Sequence, residues 1–305
     1  MAVITKETTI WKATSGKPAR TVRVALAQAR SAVGTETFDP RDENLAHAIE
    51  SIGRAAADGA DVVVFGEMYL SGYRTDEWLH KWATTVSPPD RHVEALIEQA
   101  RSKKLVIVMG AATFGAAMPG DVYNSTLVVS PDGLTGVYRK CHVVAFPYKF
   151  GVANERSFYS PGMEIPVYET PAGRIGVHIC YDVHFPEVAR VQTLNGAEML
   201  INTSASMAGF EEYWDHLAYT RAVENGTWYI VCSVVGEQRD TELFGGSQIV
   251  DPRGDVVAAA KRNEEDYIVA DIDLERGHAV RAATHALSTR QPTLYARIAE
   301  PLRQP

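Results

Sequence analysis

Three short segments of the chain end a strand-like run on a residue able to do acyl chemistry. In Phe65-Gly66-Glu67-Met68-Tyr69-Leu70-Ser71-Gly72-Tyr73, a carboxylate follows a β-branched run. It stands at a strand end facing the loops, where sheet proteins gather their reactive groups. Tyr138-Arg139-Lys140-Cys141-His142-Val143 closes another strand with a basic cluster, whose ammonium can hold an oxyanion or lower a thiol pKa. The third segment, Arg174 to Glu187, stops an alternating strand at Cys180 before Pro186 opens a helix. A thiol on such a corner stands above the sheet with the next turn's N–H groups facing its substrate, as in a nucleophile elbow.

Each segment alone has a plainer reading. Glu67 could cap a neighbouring helix, and Lys140 could be a solvated charge that discourages strand pairing. The case rests on their combination. A free thiol with a pKa near about 8.5 is only a few per cent thiolate at neutral pH, and a nearby carboxylate suppresses it further. Nucleophile, base and cation are therefore needed together. Cys232, inside the apolar run Tyr229 to Val235, reads as an inert core thiol. His178 shares the strand face of Cys180, which raises a Cys–His alternative, but it reads better as a hydrogen-bonded core histidine.

The elements that must position these residues follow from periodicity. Val22 to Gln28 alternates, Pro40 to Ala57 is amphipathic and Asp61 to Phe65 is β-branched, giving a strand, helix, strand unit. A helix over Asp90 to Ser102 follows, with strands at Leu105 to Thr113 and Thr126 to Val129. A turn at Pro131-Asp132-Gly133 leads into the strand ending at Lys140. Further strands are predicted at Arg174 to Ile179, Glu198 to Asn202, Trp228 to Val234, Gln248 to Val250 and Tyr267 to Asp271. Helices are predicted near Pro186 to Leu194 and Glu212 to Glu224. The pattern is an α/β system of sheets covered by helices. Val128 to Gly133 echoes Ile249 to Gly254, each a strand leading into a Pro and Gly turn. We read the echo as two similar hairpins, the alternative being a pseudo-symmetric pair of halves.

A chain of 305 residues supports one large core. The expected division is an extension over residues 1–20, a catalytic domain over 21–280 and an arm over 281–305. That arm is too polar and Pro-punctuated for its own core, so it is expected on the surface or on a neighbouring subunit. The net charge of −8 is spread along the chain, and no Lys or Arg run offers a phosphate-neutralising stripe, which argues against nucleic acid. No apolar stretch approaches the roughly 20 residues of a membrane span, and Met1 to Arg20 lacks a signal's apolar centre. A soluble, cytoplasmic protein is expected. Three cysteines without CxxC spacing fit neither a disulfide framework nor a zinc ribbon.

The ordered triple of Glu-x-x-x-x-Gly-Tyr at Glu67, Tyr-Arg-Lys-x-His at Lys140 and Gly-x-x-x-Cys-Tyr-Asp-x-x-Phe-Pro-Glu at Cys180 resembles the nitrilase superfamily of carbon–nitrogen hydrolases. The likeness spans Val22 to Asp273 and includes Asn154-Glu155-Arg156-Ser157-Phe158, in which the family places a supporting glutamate, here Glu155. His216 to Asn225 is similar to a family helix packed behind the site. The resemblance implies a single-domain four-layer α-β-β-α sandwich, assembly as a homodimer or larger oligomer, and no metal or organic cofactor. It also implies cleavage of a small amide through a Cys180 thioester, with Lys140 and the Tyr181 N–H holding the oxyanion. One departure is Gly66, where the family often has Pro.

Cys180-Tyr181-Asp182 resembles the amidase and carbamoylase side, whereas true nitrilases resemble Cys-Trp-Glu. Hydrolases of N-carbamoyl amino acids carry two arginines where this chain has Val183 and His184, so a simple amide or carbamoyl amine without a carboxylate is favoured. Tyr73, Ser204, Ala205 and Met207 are candidate pocket residues, ordinary loop packing being the alternative for each. A different class of answer is a non-catalytic relative that binds a small ligand or a partner. It gives no physical reason to keep thiol, base and cation at three strand ends.

Overall fold

Alternating apolar residues open the first sheet at β1 (Thr21–Gln28), whose last residues are almost wholly buried. The computed structural model describes residues 16, 19–115, 120–145, 154–238 and 241–301. The expected extension over 1–20 therefore lies almost entirely outside the described residues. Helix α1 (Arg41–Ala57) buries Asn44, Ala48, Ile52 and Ala55, one stripe at helical spacing. Strand β2 (Val62–Phe65) is buried at every position. Helix α2 (Arg91–Lys103) starts at Asp90, whose carboxylate accepts from the N–H groups of His92 and Val93 at 3.0 and 3.1 Å. Strands β3 (Val106–Phe114), β4 (Val122–Ser130) and β5 (Gly133–Arg139) follow.

The second sheet begins with β6 (Val167–Thr170) and β7 (Gly173–Ile179), then α3 (Pro186–Leu194), β8 (Met199–Ser204), α4 (Glu211–Asn225) and β9 (Trp228–Ser233). A small hairpin of β10 (Val235–Gln238) and β11 (Thr241–Phe244) intervenes before β12 (Gln248–Val250) and β13 (Val256–Ala259). Strand β14 (Asp266–Asp273) returns to pair antiparallel with β1, and α5 (Leu274–Thr284) follows it. The sheet orders are β14-β1-β2-β3-β4-β5 and β13-β12-β9-β8-β7-β6.

These orders describe one plan used twice. In each sheet three parallel strands joined by two helices, β1-β2-β3 and β7-β8-β9, continue into two antiparallel strands, β4-β5 and β12-β13. Both hairpins carry a register shift, between Val128 and Val129 and between Ile249 and Val250. The echo in the sequence falls on two similar hairpins, as read, and these sit at equivalent places in two topologically equivalent halves, so the pseudo-symmetric alternative describes the strand order as well.

The two sheets meet face to face through Val24, Leu26, Val64, Ile175, Val177 and Ile201. Ala48, Ile52 and Leu96 from α1 and α2 cover the outer face of the first sheet, and Ala189, Ala218 and Ala222 from α3 and α4 cover the second. The result is the α-β-β-α sandwich. Strands β6, β10, β11 and β13 and helix α5 have no counterpart in the sequence reading. They are short or weakly patterned, with β13 mostly exposed. Helix α5 runs across the expected boundary at residue 280. A 3-10 stretch at Pro292–Ala299 follows with Leu294 and Ile298 exposed, and residues 302–305 lie outside the described residues. No helix among the described residues is long and apolar enough to cross a membrane.

Candidate active site

Glu67 follows β2 in a loop pinched between two neighbouring chain segments. A Cβ at Gly66 would overlap the backbone N of Val234, and one at Gly110 on β3 would overlap the Gly66 carbonyl oxygen. Side chains are thus excluded on both flanks, and the Glu67 N–H donates to the Ser204 carbonyl on β8 at 3.1 Å. This local packing accounts for Gly66: Val234 and Ser233 occupy the space a side chain would need.

Lys140 follows β5, its N–H bonded to the Asn124 carbonyl at 2.8 Å. The side chain is 1 % exposed, and a buried ammonium is stable only if paired. Its Nζ donates to Glu67 Oε1 at 2.8 Å and to Glu155 Oε1 at 2.9 Å. Burial works against this ammonium, yet Glu155 and Glu67 outweigh burial and hold its pKa well above the ordinary lysine value. Burial pushes the Glu67 carboxyl upward; Lys140 offsets part of that and Glu155 adds to it. The two directions agree: two carboxylates share one ammonium, so the cation keeps its proton and the carboxyl is the group drawn towards taking one.

Glu155 sits in a 3-10 turn (Glu155–Ser157) and is fully buried. Its Oε1 accepts from the Tyr73 hydroxyl at 2.6 Å and Asn124 Nδ2 at 2.9 Å, and Oε2 from the Val144 N–H at 2.8 Å. Asn124 Nδ2 also donates to Glu67 Oε1 at 2.7 Å, bridging both carboxylates. Sequence reasoning missed Asn124. The one signal was an amide in an otherwise strand-like run, Val122–Ser130, where a buried polar group needs partners.

Cys180 opens a 3-10 turn (Cys180–His184) between β7 and α3 with φ of +41°, a left-handed conformation rarely adopted by a residue with a side chain. Burial and then Glu67 push its thiol pKa strongly upward, while Lys140, Ser204 and the Ala205 backbone pull it partly back. The corner is held by Asp182, which is fully buried. Its carboxylate accepts from the Ile179 N–H at 3.1 Å, the Tyr138 hydroxyl at 2.7 Å and the His142 N–H at 3.0 Å. One side chain thereby ties the segment bearing Cys180 to the segment bearing Lys140.

Glu67 and Cys180 open onto a cavity of about 230 Å³. Of the residues expected around it, Tyr73, Tyr181, His184, Ala205 and Met207 line its wall. Ser204 does not; it is buried, with its Oγ 2.9 Å from Ser206 Oγ, and it touches the thiol. The first turn of α4 adds Phe210, Tyr213 and Trp214, and the β10–β11 hairpin adds Gln238, Thr241 and Leu243. Neither group carried a sequence signal, because both reach the cavity through long-range packing. His178 faces the outer helix layer, bonded to Gln192 on α3 at 3.0 Å and Tyr229 on β9 at 2.7 Å, away from the acid–base cluster. Cys232 is buried, with its Sγ 3.1 Å from the Val64 carbonyl.

Comparison with known proteins agrees with this architecture. The family model for carbon–nitrogen hydrolases matches residues 23–282. The chain is 33% identical over 257 residues to a nitrilase of Pyrococcus abyssi, covering 83% of this chain and 90% of that protein. It is 32% identical over 261 residues to the omega-amidase NIT3 of Saccharomyces cerevisiae, covering 83% and 89%. The crystal structure of Saccharomyces cerevisiae Nit3 superposes with a TM-score of 0.78 at 29% identity, covering 89% of this chain and 96% of that one. With the match spanning both sheets and every segment around the cavity, the chain belongs to the carbon–nitrogen hydrolase family, the nitrilase superfamily, whose members act on carbon–nitrogen bonds other than peptide bonds.

Proposed function

We propose that the protein hydrolyses a small amide to a carboxylic acid and ammonia through a thioester on Cys180. The observation that carries this reading is the state of Glu67. Its Oε1 is taken by Lys140 and Asn124, whereas its Oε2 is buried and has no hydrogen-bond partner among the described residues. A carboxylate oxygen left open beside a thiol and a cavity is placed to move protons.

Glu67 accepts the thiol proton as Cys180 Sγ bonds to the carbonyl carbon, and Lys140 with the Tyr181 N–H holds the oxyanion. Collapse breaks the carbon–nitrogen bond, and Glu67 delivers its proton to the departing nitrogen as ammonia. Water then attacks the thioester and gives a proton to Glu67. The carbon–sulfur bond breaks, and that proton returns to Cys180 as the acid leaves. Glu155 positions Lys140 throughout, and Tyr73 positions Glu155.

An N-carbamoyl amine would meet the same thiol. Val183 is buried and His184 is hydrogen-bonded to Tyr213, so neither supplies a guanidinium for a carbamoyl amino acid's carboxylate, which favours the simple amide. Cys180→Ala is expected to abolish ammonia release from acetamide while circular dichroism and Tm stay those of the parent. Intact mass of the parent quenched during turnover is expected to show an acyl adduct on Cys180. Undiminished turnover by the alanine variant would remove the assignment.

A further inference from the structure

Opposite the charged floor, the cavity is walled by rings. The His184 imidazole lies 4.6 Å from the Tyr181 ring, 5.2 Å from Tyr213 and 5.8 Å from Trp214, the last nearly perpendicular at 86°. These are edge and offset distances at which aromatic groups attract one another. Phe210 and Tyr213 stand at the mouth, 38% and 47% exposed, so large apolar surface is kept in contact with water beside the opening. The Tyr213 hydroxyl is 2.9 Å from His184 Nδ1, which engages one imidazole nitrogen inside the wall. Burial, with Arg221 and Lys140 nearby, also lowers the His184 pKa, which favours the uncharged ring.

A second carboxylate is opposed on two counts: Glu67 already lines the cavity, and a carboxylate brought into an apolar wall loses its hydration. Size is consistent with a ring: an apolar cavity of about 150 Å³ holds benzene, and this one, at about 230 Å³, leaves room for an amide group as well.

We infer that the preferred substrate is an uncharged amide whose side group is apolar and ring-sized, seated against His184, Tyr213 and Trp214. This rests on the amide reading above and names its substrate class. A single ring-sized group leaving water for such a wall raises kcat/KM by about tenfold or more over a methyl group.

The test compares acetamide, phenylacetamide and succinamic acid by ammonia release from the full chain. In parallel, equilibrium binding of acetamide and phenylacetamide to Cys180→Ala is followed by tryptophan fluorescence. The expected order in kcat/KM is phenylacetamide, then acetamide, then succinamic acid. Trp214→Leu and Tyr213→Leu are expected to lower kcat/KM for phenylacetamide about tenfold and that for acetamide by a smaller factor, so that the ratio of the two falls. Because Tyr213 is half exposed, its variant keeps the test open if the Trp214 variant fails to fold. Preference for succinamic acid, or acetamide as the better ligand and substrate, overturns the inference and leaves the amide reading intact. If no amide is cleaved but phenylacetamide binds Cys180→Ala at least about tenfold more tightly than acetamide, the amide reading fails while the ring site stands. Equal or weaker binding of phenylacetamide overturns the ring site whatever the turnover.

Discussion

The first sheet and the second are laid down by the same moves, yet their strand ends carry different residues. Beyond β2 stands Glu67; beyond its counterpart β8 stand Ala205 and Ser206. Beyond β5 stands Lys140, 1% exposed between two carboxylates; just beyond β13 comes Lys261, its side chain 74% exposed and paired with Glu264 at 3.1 Å. Beyond β7 stands Cys180, and beyond β1 stand Ala29 and Arg30. One half supplies carboxylate and ammonium, the other the thiol, and only docking of the two sheets makes a site. A lysine at a strand end is thus uninformative by itself. What distinguishes Lys140 from Lys261 is enclosure by Glu67, Glu155 and Asn124, which makes the charge a fixed part of a buried cluster rather than a solvated edge.

The sharpest way to break this comparison is to neutralise each lysine in turn. Lys140→Met is expected to lower kcat/KM by about a thousandfold or more, since it removes the oxyanion cation and leaves two buried carboxylates unpaired. Lys261→Met is expected to stay within about twofold of the parent in the same ammonia assay. Comparable losses from both would show that enclosure is not what separates them.

A second contrast concerns crowding. The Glu67 loop is clasped by Gly66 and Gly110, so Gly66→Ala must push the loop or Val234 aside. Overpacking of this kind costs about 1–3 kcal/mol, and displacing a reacting group by about 1 Å costs on the order of a hundredfold in rate. Activity and Tm of this variant are expected to fall together; a parent-like kcat would show that the clasp is dispensable.

The pH profile sharpens the electrostatic side. Glu67 must be ionised to accept a proton, and burial raises its pKa. Activity is therefore lost as pH falls through that raised value, placing the acid limb of kcat/KM above the ordinary glutamate value of about 4.3. An acid limb at or below that value would contradict the picture of a buried carboxylate sharing one ammonium.

The smallest effect separates β7 from β1. His178 is buried with a pKa pulled down to about 4, whereas the last three residues of β1, Leu26, Ala27 and Gln28, include no ionisable group. The unfolded chain takes a proton near pH 6.5 and the folded chain resists it, so stability present above 6.5 drains as pH falls towards 4. Between pH 7 and 5.5 this group alone removes roughly 1 kcal/mol, read as a fall in urea midpoint that His178→Gln reduces.

Much of this was legible before any coordinates. Helices α1 and α3 and strands β2 and β12 fall where apolar spacing, Pro40, Pro186 and the β-branched runs place them. Glu67, Lys140 and Cys180 could be read because each ends a recognisable strand. Asn124 could not, since nothing in a strand's own pattern says which buried amide will face two carboxylates from distant segments. The β10–β11 hairpin was hidden for a related reason: each of its strands is four residues long, too short for periodicity to speak. Phe210, Tyr213 and Trp214 read as an ordinary helix start, and only the nearby corner at Cys180 turns them into a wall. The pairing of halves was visible only as an echo of six residues, because strand order can repeat without the side chains repeating.

The division of labour between the halves has a bearing on how the polypeptide comes into being. A ribosome releases the acid–base portion before the sulfur-bearing portion exists, and the last strand of the first sheet, β14, is the final one to emerge. Cys180 meets Glu67 and Lys140 only where the two sheets dock, so recovery of turnover after denaturation reports that docking more stringently than recovery of helix signal does.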